Sequence, residues 1–229
     1  MIIISGDSWG VGEWGSGPSI GVALTGPGIA QYFGLHNKVT NLSEGGCGNL
    51  DSFLYLRTFL RKYKADARDI CYYIVTDPMR DPGCFDDLSQ GIEQASRLQL
   101  DRILNKLNNL ANTHKIQINL IGGCCDLDTV DILSYPNLKI IVPSWGKLID
   151  KTYPSSIFWG DGVRSLDTNK LTCAELKEEW SDLVDLILKK EAIFKKWIRQ
   201  GLSADGCHPN RLGHRILRDF LCPGYEHKF

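Results

Sequence analysis

Five short apolar runs, each closed by turn residues and set apart by segments of helical period, constrain this chain more than any other feature. They fall at Ile2 to Ser5, Lys38 to Leu42, Ile70 to Val75, Ile116 to Ile121 and Leu138 to Val142. Apolar runs alternating with amphipathic helices make βαβ units, which close into a parallel sheet. The expectation is an α/β protein.

The helices between the runs have readable faces. From about Ser89 to Thr113, Ile92, Leu100, Ile103, Leu104, Leu107, Leu110 and Ala111 recur mostly at three and four residues, one stripe to lay on a sheet. Thr172 with Glu175 makes a capping box ahead of Leu176, Trp180, Leu183, Val184 and Ile187. The last helix is expected to start at Pro209, suited to the first helical position, and to bury Leu212, Ile216 and Phe220 before Pro223 and Gly224 end it. Residues 10–28, rich in glycine, and 143–171, aromatic, follow neither period and read as binding loops or linkers.

Chain length and charge narrow the classes. A chain of 229 residues fits one α/β domain, which reaches ~250 residues, over its full length 1–229. With 26 basic and 27 acidic side chains the net charge is -1, so neither nucleic acid nor an anionic membrane is an expected partner. The longest apolar runs fall far short of the ~20 residues that span a bilayer. The amino terminus lacks the basic start of a secretion signal, so a cytoplasmic location is expected. Eight cysteines include one adjacent pair and no C-x-x-C, and Cys71 sits in an apolar run. Free thiols therefore fit better than a disulfide set. Cys207, His208 and His214 are the nearest approach to a zinc set, and their spacing argues against one.

The chemistry enters with GDS, directly after the first run. In an open parallel sheet ligands bind beyond the carboxyl ends of the strands, which is where Ser8 falls. A serine hydroxyl needs an imidazole to take its proton and a carboxylate to orient that imidazole. The segment SADGCHPNRLGH offers both, Asp205 and His208, three apart ahead of a helix. An isolated D-x-x-H is more often a turn and a helix cap; a hydroxyl at the matching strand end changes that weighing. Gly45, Gly46 and Gly48 in NLSEGGCGN let backbone N–H groups approach a substrate closely. In VTDPMRD, Thr76 offers a hydroxyl.

These four loops, in this order, resemble the SGNH or GDSL hydrolase family from Ser8 to His214. The resemblance implies a three-layer α/β/α sandwich, flavodoxin-like, with a five-stranded parallel sheet. It implies Ser8 as nucleophile and first oxyanion donor, His208 as general base, Asp205 as orienting acid and Gly46 as second donor, with Asp7 a turn former. The family places an asparagine where this chain has Thr76, so the third donor would have to be the threonine hydroxyl. No metal or organic cofactor is implied.

The expected activity is a serine ester hydrolase working through an acyl-enzyme on a small-molecule or glycan ester, with short acyl groups such as O-acetyl on carbohydrate favoured. A lipase or thioesterase on longer chains, or a non-catalytic module that keeps the fold, are the alternatives. Trp9, Trp14, Trp145 and Trp159 fall in the site-edge loops, where they would line a sugar or an acyl pocket, or else belong to the core. Two further motifs compete. GDSWG satisfies G-x-S-x-G, yet that elbow follows several strands and Ser8 follows one. GVGEWG satisfies G-x-G-x-x-G, yet SGPSIG cannot form the helix that must follow it.

Overall fold

A computed structural model describes residues 1–16, 22–26, 28–34, 37–66, 68–81, 91–152 and 208–223. Five parallel strands form one sheet: β1 (Ile2–Ser5), β4 (Val39–Asn41), β5 (Ile70–Val75), β6 (Ile118–Gly122) and β7 (Leu138–Val142), in the order β4-β1-β5-β6-β7. Taken in chain order, these strands run 2-1-3-4-5 across the sheet, so the connection reverses direction between β1 and β5. That is the flavodoxin-like arrangement, with its crevice at the reversal. Both edges of β1 are hydrogen-bonded, Ile3 opposite Thr40 on one side and Cys71 on the other.

The sheet is covered on both faces. Alternating side chains divide into two cores, as the period of two requires. Ile3, Tyr73, Val75, Ile118 and Leu120 point into one, under α3 (Asn49–Lys62) and α4 (Ile92–His114). Ile2, Ile4, Ile74, Ile121 and Val142 point into the other, under α2 (Ile29–Gly34), α5 (Trp145–Thr152) and α6 (Arg211–Leu221). The result is a three-layer α/β/α sandwich. The expected stripe of α4 is buried at Ile103, Leu104, Leu107, Leu110 and Ala111. The capping box at Thr172 and the stripe to Ile187 lie outside the described residues.

Three expectations need correction. The stretch after β1 is not structureless: it holds the short helix α1 (Ser8–Val11) and an antiparallel pair, β2 (Glu13–Ser16) with β3 (Val22–Gly26). One helical turn and two short, glycine-bearing strands are too brief to show a period. Within 143–171, Trp145–Thr152 is helical, begun by Ser144, whose hydroxyl accepts from the Lys147 N–H at 3.2 Å. In α6, Asn210 is the cap, accepting from the N–H groups of Leu212 at 2.8 Å and Gly213 at 3.2 Å. Pro209 therefore precedes the cap rather than opening the helix. Phe220 is 50% exposed, because steps of four residues drift off a turn of ~3.6. The buried residues are Gly213, His214, Ile216, Leu217 and Arg218.

No described helix is long and apolar enough to cross a membrane. Among the described cysteines, Cys47, Cys71, Cys124, Cys125 and Cys222 carry thiols rather than disulfides.

Candidate active site

The end of β1 crosses β5 so closely that a β-carbon at residue 6 would lie 2.7 Å from the Ile74 Cβ, and Gly6 removes that clash. Asp7 then caps α1, its carboxylate accepting from the Trp9 N–H at 3.0 Å. Capping by an acid is favourable because it satisfies a first-turn donor and complements the helix dipole. Ser8 is the next residue, at the carboxyl edge of the sheet beside the reversal in strand order. Its Oγ lies 3.0 Å from Nε2 of His208, two hundred residues away in sequence. Asp205 lies outside the described residues.

Asp7 does more than shape a turn. Its side chain is fully buried, and its Oδ2 accepts the Thr76 hydroxyl at 2.5 Å and Nη1 of Arg80 at 3.3 Å. Burial pushes its pKa above the usual carboxylate value, against the pull of the Thr76 and Trp9 hydrogen bonds and of the charges on Arg80 and His208. Thr76 has one hydroxyl proton, and that proton faces Asp7. Arg80 sits at the end of a 3₁₀ turn, Pro78–Arg80, capped by Asp77 through the Met79 N–H.

The second loop is stitched to the first and the third by the two asparagines that bound it. Asn41, at the end of β4, donates through Nδ2 to the carbonyls of Gly10 at 2.9 Å and Val11 at 3.4 Å, closing the carboxyl end of α1. Its Oδ1 accepts from the Ser43 N–H, and the Glu44 N–H reaches the Gly6 carbonyl. Asn49 opens α3 and pairs with the Thr76 backbone in both directions, accepting from its N–H at 2.9 Å and donating to its carbonyl at 3.1 Å. Asp81 returns from the third loop to accept the Leu50 N–H at 2.7 Å, at the start of α3. Between the asparagines, Gly46 is exposed with φ 81°, and the space at its Cβ position is open.

The structure thus brings Ser8 and His208 together and leaves Gly46 exposed on the loop beside them. It turns the Thr76 hydroxyl onto Asp7. Trp9 and Trp145 are fully buried and meet edge to face at 5.4 Å, so both are core rather than platforms. Trp14 lies in β2, and Trp159 lies outside the described residues. Asn41 and Asn49 went unassigned in the sequence, although the N-x-S-x-x-G-x-G-N spacing that carries them was visible. No pattern in the letters announces the partners of His214.

Among the described residues, no three His, Cys, Asp or Glu side chains gather as a metal would need. Both ring nitrogens of His214 are occupied by backbone groups. Compared with known proteins, the chain matches no protein-family model and no curated protein.

Proposed function

We propose that the protein is a serine ester hydrolase acting through an acyl-enzyme, an SGNH-like enzyme in its use of Ser8 and His208. The 3.0 Å contact between Ser8 Oγ and His208 Nε2 is the observation that carries this reading. At that distance the imidazole takes the hydroxyl proton as Oγ attacks the ester carbonyl. The C–O bond to the alcohol then breaks, and His208 returns the proton to the leaving oxygen. Water repeats the sequence on the acyl-serine and releases the acid. The Ser8 N–H, at the start of α1, and the Gly46 N–H are the donors assigned to the oxyanion. Asp205 is assigned to orient His208, on the D-x-x-H spacing alone.

Short acyl esters remain the favoured substrates, with carbohydrate O-acetyl groups to be tried first. Burial of Trp9 and Trp145 takes two rings from the sugar-platform argument, so glycan specificity rests on the substrate panel. The test is labelling by a fluorophosphonate probe together with hydrolysis of p-nitrophenyl esters of graded length. Labelling at Ser8 that is lost in Ser8→Ala and in His208→Ala supports the enzyme. A folded wild-type chain that takes no label and cleaves no ester supports the second reading, a non-catalytic module on the same fold. The hydrogen bond from Thr76 to Asp7 is what favours that alternative, because it leaves the site one oxyanion donor short.

A further inference from the structure

His208 lies at the far end of the chain from Ser8, so its place opposite the hydroxyl depends on how α6 docks. The docking surface of α6 centres on a second histidine. His214 is fully buried, in the helix that begins shortly after His208. Its Nδ1 accepts from the Ile29 N–H at 3.1 Å. Its Nε2 lies 2.8 Å from the Gly12 carbonyl. A carbonyl only accepts, so the proton sits on Nε2 and the ring is the neutral Nε2–H tautomer. Gly12 immediately follows α1, the helix that Ser8 opens. One side chain therefore ties the helix behind His208 to the segment behind Ser8.

The surroundings are built around this contact. Gly28 has φ 57°, and a β-carbon there would lie 2.7 Å from the His214 ring and 2.9 Å from the Gly12 Cα, so only glycine fits. Trp145 meets the imidazole edge to face at 4.9 Å, and its Nε1–H donates to the Gly213 carbonyl at 3.1 Å. The half-exposed Tyr32 and the exposed Arg211 both reach the buried carboxylate of Glu13, at 3.1 and 2.9 Å, adding a second tie between β2 and α6.

We propose that His214 is the positioning residue of this site: by clamping Gly12 and Ile29 to α6 it fixes the separation of Ser8 and His208, with Arg211 and Glu13 as an auxiliary tie. The inference deepens the hydrolase reading, on which its catalytic consequence rests. The reason is geometric. A proton transfer requires heavy atoms at ~2.6–3.2 Å, and a displacement of ~1 Å costs about 10² in rate. Loss of the clamp lets α6 move by that amount while the sheet stays intact.

The test uses the full chain in four variants. His214→Phe keeps the ring and removes both hydrogen bonds; His214→Asn keeps the acceptor for Ile29; His214→Gln keeps the donor to Gly12; Arg211→Ala removes the auxiliary tie to the buried Glu13 carboxylate. Each is assayed below its melting temperature for fluorophosphonate labelling of Ser8 and for kcat and KM on p-nitrophenyl acetate. His214→Phe is expected to lower labelling and kcat by about tenfold or more with KM nearly unchanged. Asn, Gln and the Arg211 variant are expected to fall between it and wild type. On the residual ester hydrolysis that oxyanion donors and binding leave in a His208→Ala background, His214→Phe is expected to cost nothing further, because both changes remove one function. A general loss of structure would instead add to the first loss. Crystal structures of the Phe and Asn variants are expected to show Ser8 Oγ and His208 Nε2 beyond hydrogen-bond distance. Labelling within twofold of wild type, or an unchanged Ser8–His208 separation, overturns the clamp. An unlabelled wild type overturns the hydrolase reading alone, and the crystallographic comparison still decides the clamp.

Discussion

Thr76 donates its hydroxyl at 2.5 Å to the carboxylate of Asp7, the residue that immediately precedes Ser8. The hydrogen bond runs into the base of the turn that carries Ser8. Its effect is to hold a buried carboxylate that also caps α1. Thr76→Val leaves that carboxylate one donor short, at a cost of about 1–3 kcal/mol. Denaturant unfolding is expected to show this loss, to show Thr76→Ser near wild type, and to be accompanied by a modest fall in kcat. A fall of ~10²–10³ in kcat at unchanged stability is the signature of a lost oxyanion donor, and it would return Thr76 to that role.

Asn49 holds the third loop by a pair of hydrogen bonds to the Thr76 backbone, and it is itself fully buried. Asn49→Ala strands an N–H and a carbonyl in the interior, each worth about 1–3 kcal/mol. The variant is expected to lose several times the stability lost by an ordinary surface substitution. Asn49→Asp keeps an acceptor for the N–H and sets a carboxylate oxygen against the carbonyl, so it is not expected to rescue. Urea titration with an unchanged m-value checks both. Full stability in Asn49→Ala would mean the loop is held some other way.

The parts that were legible in the sequence are those fixed by period and by chain order. β1, β5 and β7 begin and end where their apolar runs do, since turn residues close each run. Ser8 and His208 were legible because each stands at a strand end or helix start that the fold must bring to one edge. The partner of Thr76 was not legible because a hydroxyl declares a donor and not its target; the target, Asp7, lies 69 residues away. The edge of α6 was misread because Pro209 and Asn210 both carry start signals, and only the side-chain contacts of Asn210 decide between them. Trp9 and Trp145 were illegible for a similar reason: an aromatic ring after a strand serves a core or a ligand equally well.

The thiols divide by burial. Cys71 lies in the sheet interior, and burial pushes its pKa up to about 12, while Cys125 and Cys222 are half-buried. Thiolate is the reacting form. Iodoacetamide under native conditions, mapped by mass spectrometry, is expected to modify Cys125 and Cys222 first and Cys71 only on unfolding. None of the five described thiols is expected to be found in a disulfide under non-reducing conditions. Rapid native alkylation of Cys71 would show that the sheet opens there.

His214 gives the fold an acid-sensitive element whose sign follows from its environment. Burial lowers its pKa from 6.5 to about 4, although the hydrogen bond to Gly12 and the charge of Glu13 both pull upward. Protonation would set a second N–H against the Ile29 N–H, so the folded state resists it. The unfolded chain binds that proton near 6.5 and the folded chain near 4. The contribution is therefore fully present above pH 6.5 and is lost progressively as pH falls toward 4. A displacement of that size corresponds to roughly 3 kcal/mol. Asp7, whose pKa is raised by burial, acts with the opposite sign, stability rising as it gains its proton, so the two are separated by substitution. Urea unfolding of wild type and His214→Gln between pH 7.5 and pH 4 is expected to show a steeper decline in wild type. The gap between the two curves should close as pH falls, because the glutamine has no proton to gain. Parallel curves would mean that the imidazole takes its proton as readily in the folded protein as in the unfolded chain, which is incompatible with the Ile29 hydrogen bond.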